Sequence, residues 1–485
     1  MLFQKMLKFL VFFVALCVSI SCEEDYFSTD LNLNTNISSE NVLNLSNAGI
    51  KYLKKSFAES SVITHVFLKN NDIFKIEKGA FDDLPNLVYL DLSGNIFQFE
   101  ELGENLSIET LVLDAAIYKT HDDSYGYYND YDKVRIYRER KSSQLYVLSL
   151  NRTNYLPNLK KLYLRRNNIM SLYTENSLTL KDIMPNLTHL YLNENRLSSV
   201  SFMKTLPASL SYLYLNSNGI SQFESGFLEN LIVLTLDGNP IKNLCGNFGY
   251  CQGMTLKSAV NLIILSISSM MLTKIEADSF ADLGKLLYLD MSHNKIETFF
   301  NETFDNLSSL MILKLDFNQL KSVPNISAIK NLENFSISHN NISLLEDWPF
   351  FGLSNLRKLN LSYNEITEIK SEFFDNLSSL ESLDLSGNKL TILPEYWILP
   401  LFSLQFLYLQ NNSFSNISNL ELTETGNLMF LNIGNNPFKL VSLSGLRALS
   451  EDAIIDMEGM GHQQLEMGSS SHCNTCQQHC SNRYH

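Results

Sequence analysis

Cys473, Cys476 and Cys480 stand among His472, His479 and His485 near the C-terminal end, a mixture of thiols and imidazoles that suits zinc or disulfide chemistry. Structural zinc sites commonly draw on two close donor pairs, whereas this stretch offers one C-x-x-C and no second. Disulfide chemistry is the expectation, and no metal is assigned. Upstream, Cys245 and Cys251 bracket five residues, two of them glycine, and can close a small disulfide loop in an oxidising compartment. If Cys22 is removed with an N-terminal leader, that pair leaves three cysteines in the tail. An odd number leaves one thiol free or bonded to another chain, so a disulfide-linked dimer or heteromer through Cys473, Cys476 and Cys480 is expected. Cleavage before Cys22 would restore even parity.

Ser292-His293-Asn294 and Ser338-His339-Asn340 carry the residue types of a hydrolytic centre. Both occupy the same place in a repeating frame, and their asparagines belong to its turn. No nucleophile beside a positioned base, phosphate loop or carboxylate pair accompanies them, so the chain reads as a non-enzyme without a cofactor. Binding chemistry is better represented. Tyr163, Tyr191 and Tyr214 fall in one slot of three successive repeats, with Lys161, His189 and Tyr212 two residues earlier and Arg165 and Arg166 just beyond the first. Tyrosine and arginine supply contact area and directed hydrogen bonds where protein surfaces meet, although tyrosine also favours strands for its own sake. Phe406, Tyr408 and Phe430 form a second such group.

These residues need a frame to bring them together, and the chain has one: L-x-x-L-x-L-x-x-N-x-L. It starts at Leu286, Leu310, Leu332, Leu356, Leu380, Leu404 and Leu428, in steps of 24 residues apart from one of 22. Upstream it is set at Ile63, Leu87, Ile108, Leu159, Leu187, Leu210, Leu231 and Leu262. Fixed periodicity marks a solenoid. The L-x-L core predicts a short strand with both leucines inward and the intervening residue outward, in a parallel sheet closed by stacking each coil on the next. Asn71, Asn95, Asn167, Asn195, Asn218, Asn239, Asn294, Asn318, Asn340, Asn364, Asn388, Asn412 and Asn436 should pair backbone groups that the turn leaves open. Phe57, Phe81, Phe280, Phe304, Phe350 and Phe374 recur at one further slot and read as core on the opposite side.

With this frame the chain resembles the leucine-rich repeat superfamily over residues 40–449, about 16 repeats. The resemblance implies an α/β solenoid, a leucine-rich repeat horseshoe with a concave parallel β-sheet and a short helical or irregular convex side. Residues 1–21, with Lys5 and Lys8 ahead of an apolar run, read as a cleaved secretory signal, 22–39 as an N-terminal cap and 450–485 as a flexible cysteine-containing tail. Two insertions interrupt the repeats, at 119–144 and 244–256. The first, acidic and tyrosine-rich and then basic, reads either as a disordered surface loop or as a ligand-contacting one. Leu145, Leu148 and Leu150 can form a further strand, but only fourteen residues separate Leu145 from Leu159.

No stretch after the leader reaches membrane-spanning length, so a secreted, extracellular protein without a membrane anchor is expected. Loss of Lys5 and Lys8 takes the net charge from −15 to −17, which argues against nucleic acid as partner. Glycosylation sequons agree with the secretory route, at Asn36, Asn44, Asn105, Asn151, Asn186, Asn301, Asn306, Asn325, Asn334, Asn341, Asn360, Asn376, Asn411 and Asn416. None falls between Asn186 and Asn301, where two of the three tyrosines lie. Leader, repeats and C-terminal cysteines also resemble the mosquito leucine-rich immune proteins of the coil-less kind. That resemblance implies recognition in extracellular innate immunity, through an extracellular protein or microbial surface ligand. The alternatives are an extracellular matrix or cell-adhesion component and a soluble receptor-like ectodomain.

Overall fold

The computed structural model describes residues 41–103, 106–117, 146–150, 154–175, 177–224, 228–247, 252–343, 345, 348–422, 426–439, 441–442, 446, 449–450, 452–459 and 465–466. The chain divides into two compact units, Met1–Asp290 and Met291–His485.

In both units the L-x-L core does what its period demands. Lys358–Asn360, for example, is a three-residue strand whose Leu359, like Leu361 beyond it, is fully buried while the residue between them faces the other way. Strands of the first unit pair in parallel and in register, aligning Leu43, Val66, Leu90, Leu111, Leu162, Leu190, Leu213, Leu234, Leu265 and Leu289 in one inward row. The second unit repeats the arrangement with Leu313, Phe335, Leu359, Leu383, Leu407, Leu431 and Ile455. Each fully buried side chain of these rows contributes about 1.5–3 kcal/mol by leaving water, and the half-buried Leu43 and Ile455 less. Each unit is thus the expected parallel-sheet solenoid, and helix is scarce. Among the described residues the only α-helical turn is Leu180–Ile183, beside 3-10 turns such as Ser371–Phe374.

The turn asparagines are buried, Asn218 being half-buried. Asn195 shows their work: its Oδ1 accepts from Asn167 N and Ile169 N at 3.0 Å, and its Nδ2 donates to Leu164 O and Leu192 O at 2.9 Å. One amide therefore ties two coils together. The residue just before this asparagine takes the left-handed conformation in coil after coil, including Arg166, Glu194, His293, Phe317, His339 and Tyr363. On the opposite side, Phe81, Phe280, Phe304, Phe350 and Phe374 are buried, and Phe57 is half-buried with its ring edge-on to Phe81 at 5.6 Å. A second set of asparagines links consecutive coils at the surface, where Asn331 donates to Ser308 O and Asn355 to Lys330 O, both at 2.8 Å.

The first insertion does not break the stack. Thr110–Val112 pairs directly with Lys161–Tyr163, and Asn167 Nδ2 donates to Leu113 O at 2.9 Å across the gap. The insertion at 119–144 lies outside the described residues. Its downstream arm, Tyr146–Leu150, is a strand, but it pairs with Ile169–Thr174 in a separate two-stranded sheet and adds no member to the repeat row. That explains the short spacing from Leu145. In the second insertion, Asn243–Cys245 pairs with Met254–Thr255 and with Lys274–Ile275 in a small sheet of its own.

Candidate functional site

Lys161–Tyr163, His189–Tyr191 and Tyr212–Tyr214 are adjacent strands of the first unit. Their register sets two outward rows, Lys161, His189 and Tyr212 in one and Tyr163, Tyr191 and Tyr214 in the other. Strand spacing of about 4.8 Å is close to ring-stacking distance, so parallel register stacks the rings. Tyr163 and Tyr191 have centroids 4.1 Å apart, Tyr191 and Tyr214 4.5 Å, and His189 and Tyr212 4.0 Å, every pair tilted by only 5°. The result is a rigid comb. Both faces of Tyr191, and one face of Tyr163, Tyr214 and Tyr212, are covered by neighbouring rings, so the row presents mainly edges and hydroxyl groups to a partner.

Charge frames this platform. The guanidinium of Arg165 lies 5.6 Å from the Tyr163 centroid and pairs with Asp114 at 2.6 Å, while the same carboxylate accepts from Arg165 N at 2.8 Å. Arg165 is thereby committed to the scaffold more than its sequence position suggests. Arg166 is exposed and pairs with Glu194 at 2.8 Å, and Lys161 is exposed. Burial, and then the nearby Lys161 ammonium, lowers the His189 pKa to about 4, so that imidazole is neutral at physiological pH. Burial among other phenols holds the Tyr191 hydroxyl protonated. The platform residues are half-buried, whereas the rows become buried on either side, at Tyr89 and Asp91 and at Val233 and Thr235. The accessible segment therefore runs from Thr110 to Tyr214.

The other sequence candidates are placed as follows. Cys245 is disulfide-bonded, while its expected partner Cys251 lies outside the described residues, as do Cys473, Cys476 and Cys480. Among the sequons, Asn44, Asn186, Asn301, Asn306, Asn325, Asn341, Asn376 and Asn416 are exposed, and Asn334, Asn360 and Asn411 half-buried. Asn36, Asn105 and Asn151 fall outside the described residues. In the second candidate group Phe406 is exposed, and the Tyr408 and Phe430 rings meet at 5.4 Å.

Ser338 is buried and donates to Asp316 at 2.7 Å, so neither it nor its histidine is poised for hydrolysis. His339 instead stacks between Phe317 at 4.1 Å and Tyr363 at 4.4 Å, with His293 on the far face of Phe317 at 4.2 Å. This four-ring stack escaped the sequence reading, although all four residues hold the same slot in successive repeats. Among the described residues no group of three or more histidine, cysteine or acidic side chains is placed to hold a metal, and no helix is long and apolar enough to cross a membrane.

With coils, asparagine ties and outward rows in view, the class is clear. A family model described as leucine rich repeat matches residues 41–97, 260–320, 330–390 and 354–414. This chain is a leucine-rich repeat protein. It is related to lumican of Coturnix japonica, 31% identical over 302 residues, covering 58% of this chain and 65% of that one. It also matches fibromodulin of Bos taurus, 27% identical over 299 residues, covering 61% and 62%. The chain thus spans less than two thirds of the length of these curated relatives. A leucine-rich repeat protein of Leptospira interrogans shares the fold, with a TM-score of 0.59 at 23% identity over 90% of this chain and 100% of that one.

Proposed function

We propose that this chain is a secreted glycoprotein of the extracellular matrix, a binding scaffold that engages another protein through the platform of Tyr163, Tyr191, Tyr214, His189 and Tyr212. The stacked double row carries this reading. It is pre-organised, so a partner does not have to order it, and it joins aromatic edges and hydroxyls to the cations Lys161 and Arg166. The likeness to lumican and fibromodulin favours the matrix alternative over innate immunity, which had been the leading expectation. Linkage to a second chain through Cys473, Cys476 and Cys480 belongs to the same proposal.

The test is retention of the secreted protein on immobilised extracellular-matrix extract. Tyr191→Ala combined with Tyr214→Ala should lower the apparent affinity at least about tenfold, because central tyrosines are typical binding hot spots. Secretion should be unchanged. Undiminished retention removes the platform from the interface, and retention on microbial surfaces in place of matrix would restore the immune reading.

A further inference from the structure

In the second unit a cleft of about 820 Å³ is lined by Asn376, Ser378, Leu399, Pro400, Phe402 and Asn427, among others. Its volume lies in the range of roughly 300–1,000 Å³ usual for small-ligand sites. Asn376-Leu377-Ser378 is a sequon, so the amide that would carry a glycan is part of the cleft wall. Phe402, on the same cleft, is 69% exposed. An aromatic ring is unusual at that exposed slot, which Ser308, Lys330, Ser354, Ser378 and Gly426 fill in other coils of the unit. The backbone that carries the ring is tied to both neighbouring coils. Ser403 Oγ donates to Ser378 O at 2.8 Å and Asn427 Nδ2 donates to Phe402 O at 2.6 Å, tying the backbone just after the ring's attachment to the coil before and the coil after.

We propose that the cleft seats the first sugars of an N-linked glycan on Asn376, with the aromatic face of Phe402 packed against the pyranose C–H groups. The electron-rich ring face attracts the weakly positive C–H face of a sugar, and a backbone already tied to both neighbouring coils needs no reordering to present it. The proposal rests on the secretory reading above. Asn306 provides an internal comparison, since it is also an exposed sequon at the equivalent slot of its own repeat, but the following coil carries Lys330 where the coil after Asn376 carries Phe402.

The full chain, expressed in a eukaryotic secretory host, should show glycan at both Asn376 and Asn306 by glycopeptide mass spectrometry. Phe402→Ser should lower Tm by about 2–4 °C in that protein but by under about 1 °C in an Asn376→Gln background. Lys330→Ser should give the same shift with or without Asn306→Gln. An equal effect of Phe402→Ser in both backgrounds overturns the proposal, as does a bare Asn376 beside an occupied Asn306. Bare asparagines at both positions overturn the secretory reading itself, and the seated glycan with it.

Discussion

Asn364→Ala tests whether the buried asparagines hold the coils together. Asn364 Oδ1 accepts from Ile342 N at 3.2 Å, and its Nδ2 donates to Ile337 O at 3.0 Å and Leu361 O at 3.1 Å. The two carbonyls are not orphaned by the change, because Asn340 still donates to Ile337 O at 3.1 Å and Asn388 to Leu361 O at 3.0 Å. Ile342 N–H, by contrast, loses its side-chain acceptor inside a coil that is buried on both sides. An unsatisfied buried donor costs about 1–3 kcal/mol and each of the two forfeited amide bonds about 0.5–1.5 kcal/mol net, so the loss should be about 2–6 kcal/mol. Asn355→Ala is the contrast. That asparagine also joins two coils, donating to Lys330 O at 2.8 Å, but it is exposed and water replaces it, so the cost should stay below about 1 kcal/mol. Urea unfolding followed by circular dichroism reads the two variants side by side, with an unchanged slope showing that the same surface is exposed. Equal losses, or under about 1 kcal/mol for Asn364→Ala, would refute the assignment of the coil ties to buried amides.

Gly387 has φ 66°, and a Cβ there would lie 2.7 Å from Tyr363 Cδ1, on a ring whose other face is stacked on His339. Gly387→Ala should therefore cost about 1–3 kcal/mol, measured by the same unfolding assay. Acidification acts on the first unit in opposing ways. The folded pKa of His189, about 4 against an ordinary 6.5, makes stability fall as pH drops from 6.5 to 4. Burial raises Asp237 to about 6 and Glu101 to about 7, and a raised acid instead adds stability as pH falls through those values. His189→Asn should remove the first contribution alone, so its stability relative to wild type should rise between pH 7 and pH 4.5 in a thermal-melt series. A flat difference would show that the His189 pKa is the same folded and unfolded. For the tail, non-reducing electrophoresis of the secreted protein should show a higher-mass band that collapses on reduction; a monomer in both lanes removes the inter-chain bond.

Repetition explains why so much was legible in advance. Leucine spacing alone places Leu162, Leu190 and Leu213 inward, and the shared L-x-L frame then sets Tyr163, Tyr191 and Tyr214 in one outward row although the coils differ in length, at 28 and 23 residues. The asparagine series was readable for the same reason: a period names the residues that must do the same work. Where the period breaks, sequence reasoning loses its guide. Leu148 and Leu150 could form a strand but had no clear place in the repeat, and they line a strand of another sheet, paired with Ile169–Thr174.

The sequence by itself determined which residues face inward, which slots recur and therefore the solenoid, since burial of a periodic apolar row has one low-energy solution. Only the tertiary structure decided what the outward residues do to one another. The tyrosine faces are spent on neighbouring tyrosines, and Arg165 is held by Asp114 across 51 residues of chain. His339 is enclosed by Phe317 and Tyr363, and Phe402 shares a cleft with Asn376. Those outcomes depend on ring orientation and on which coil lies next in space, and no spacing along the chain encodes either.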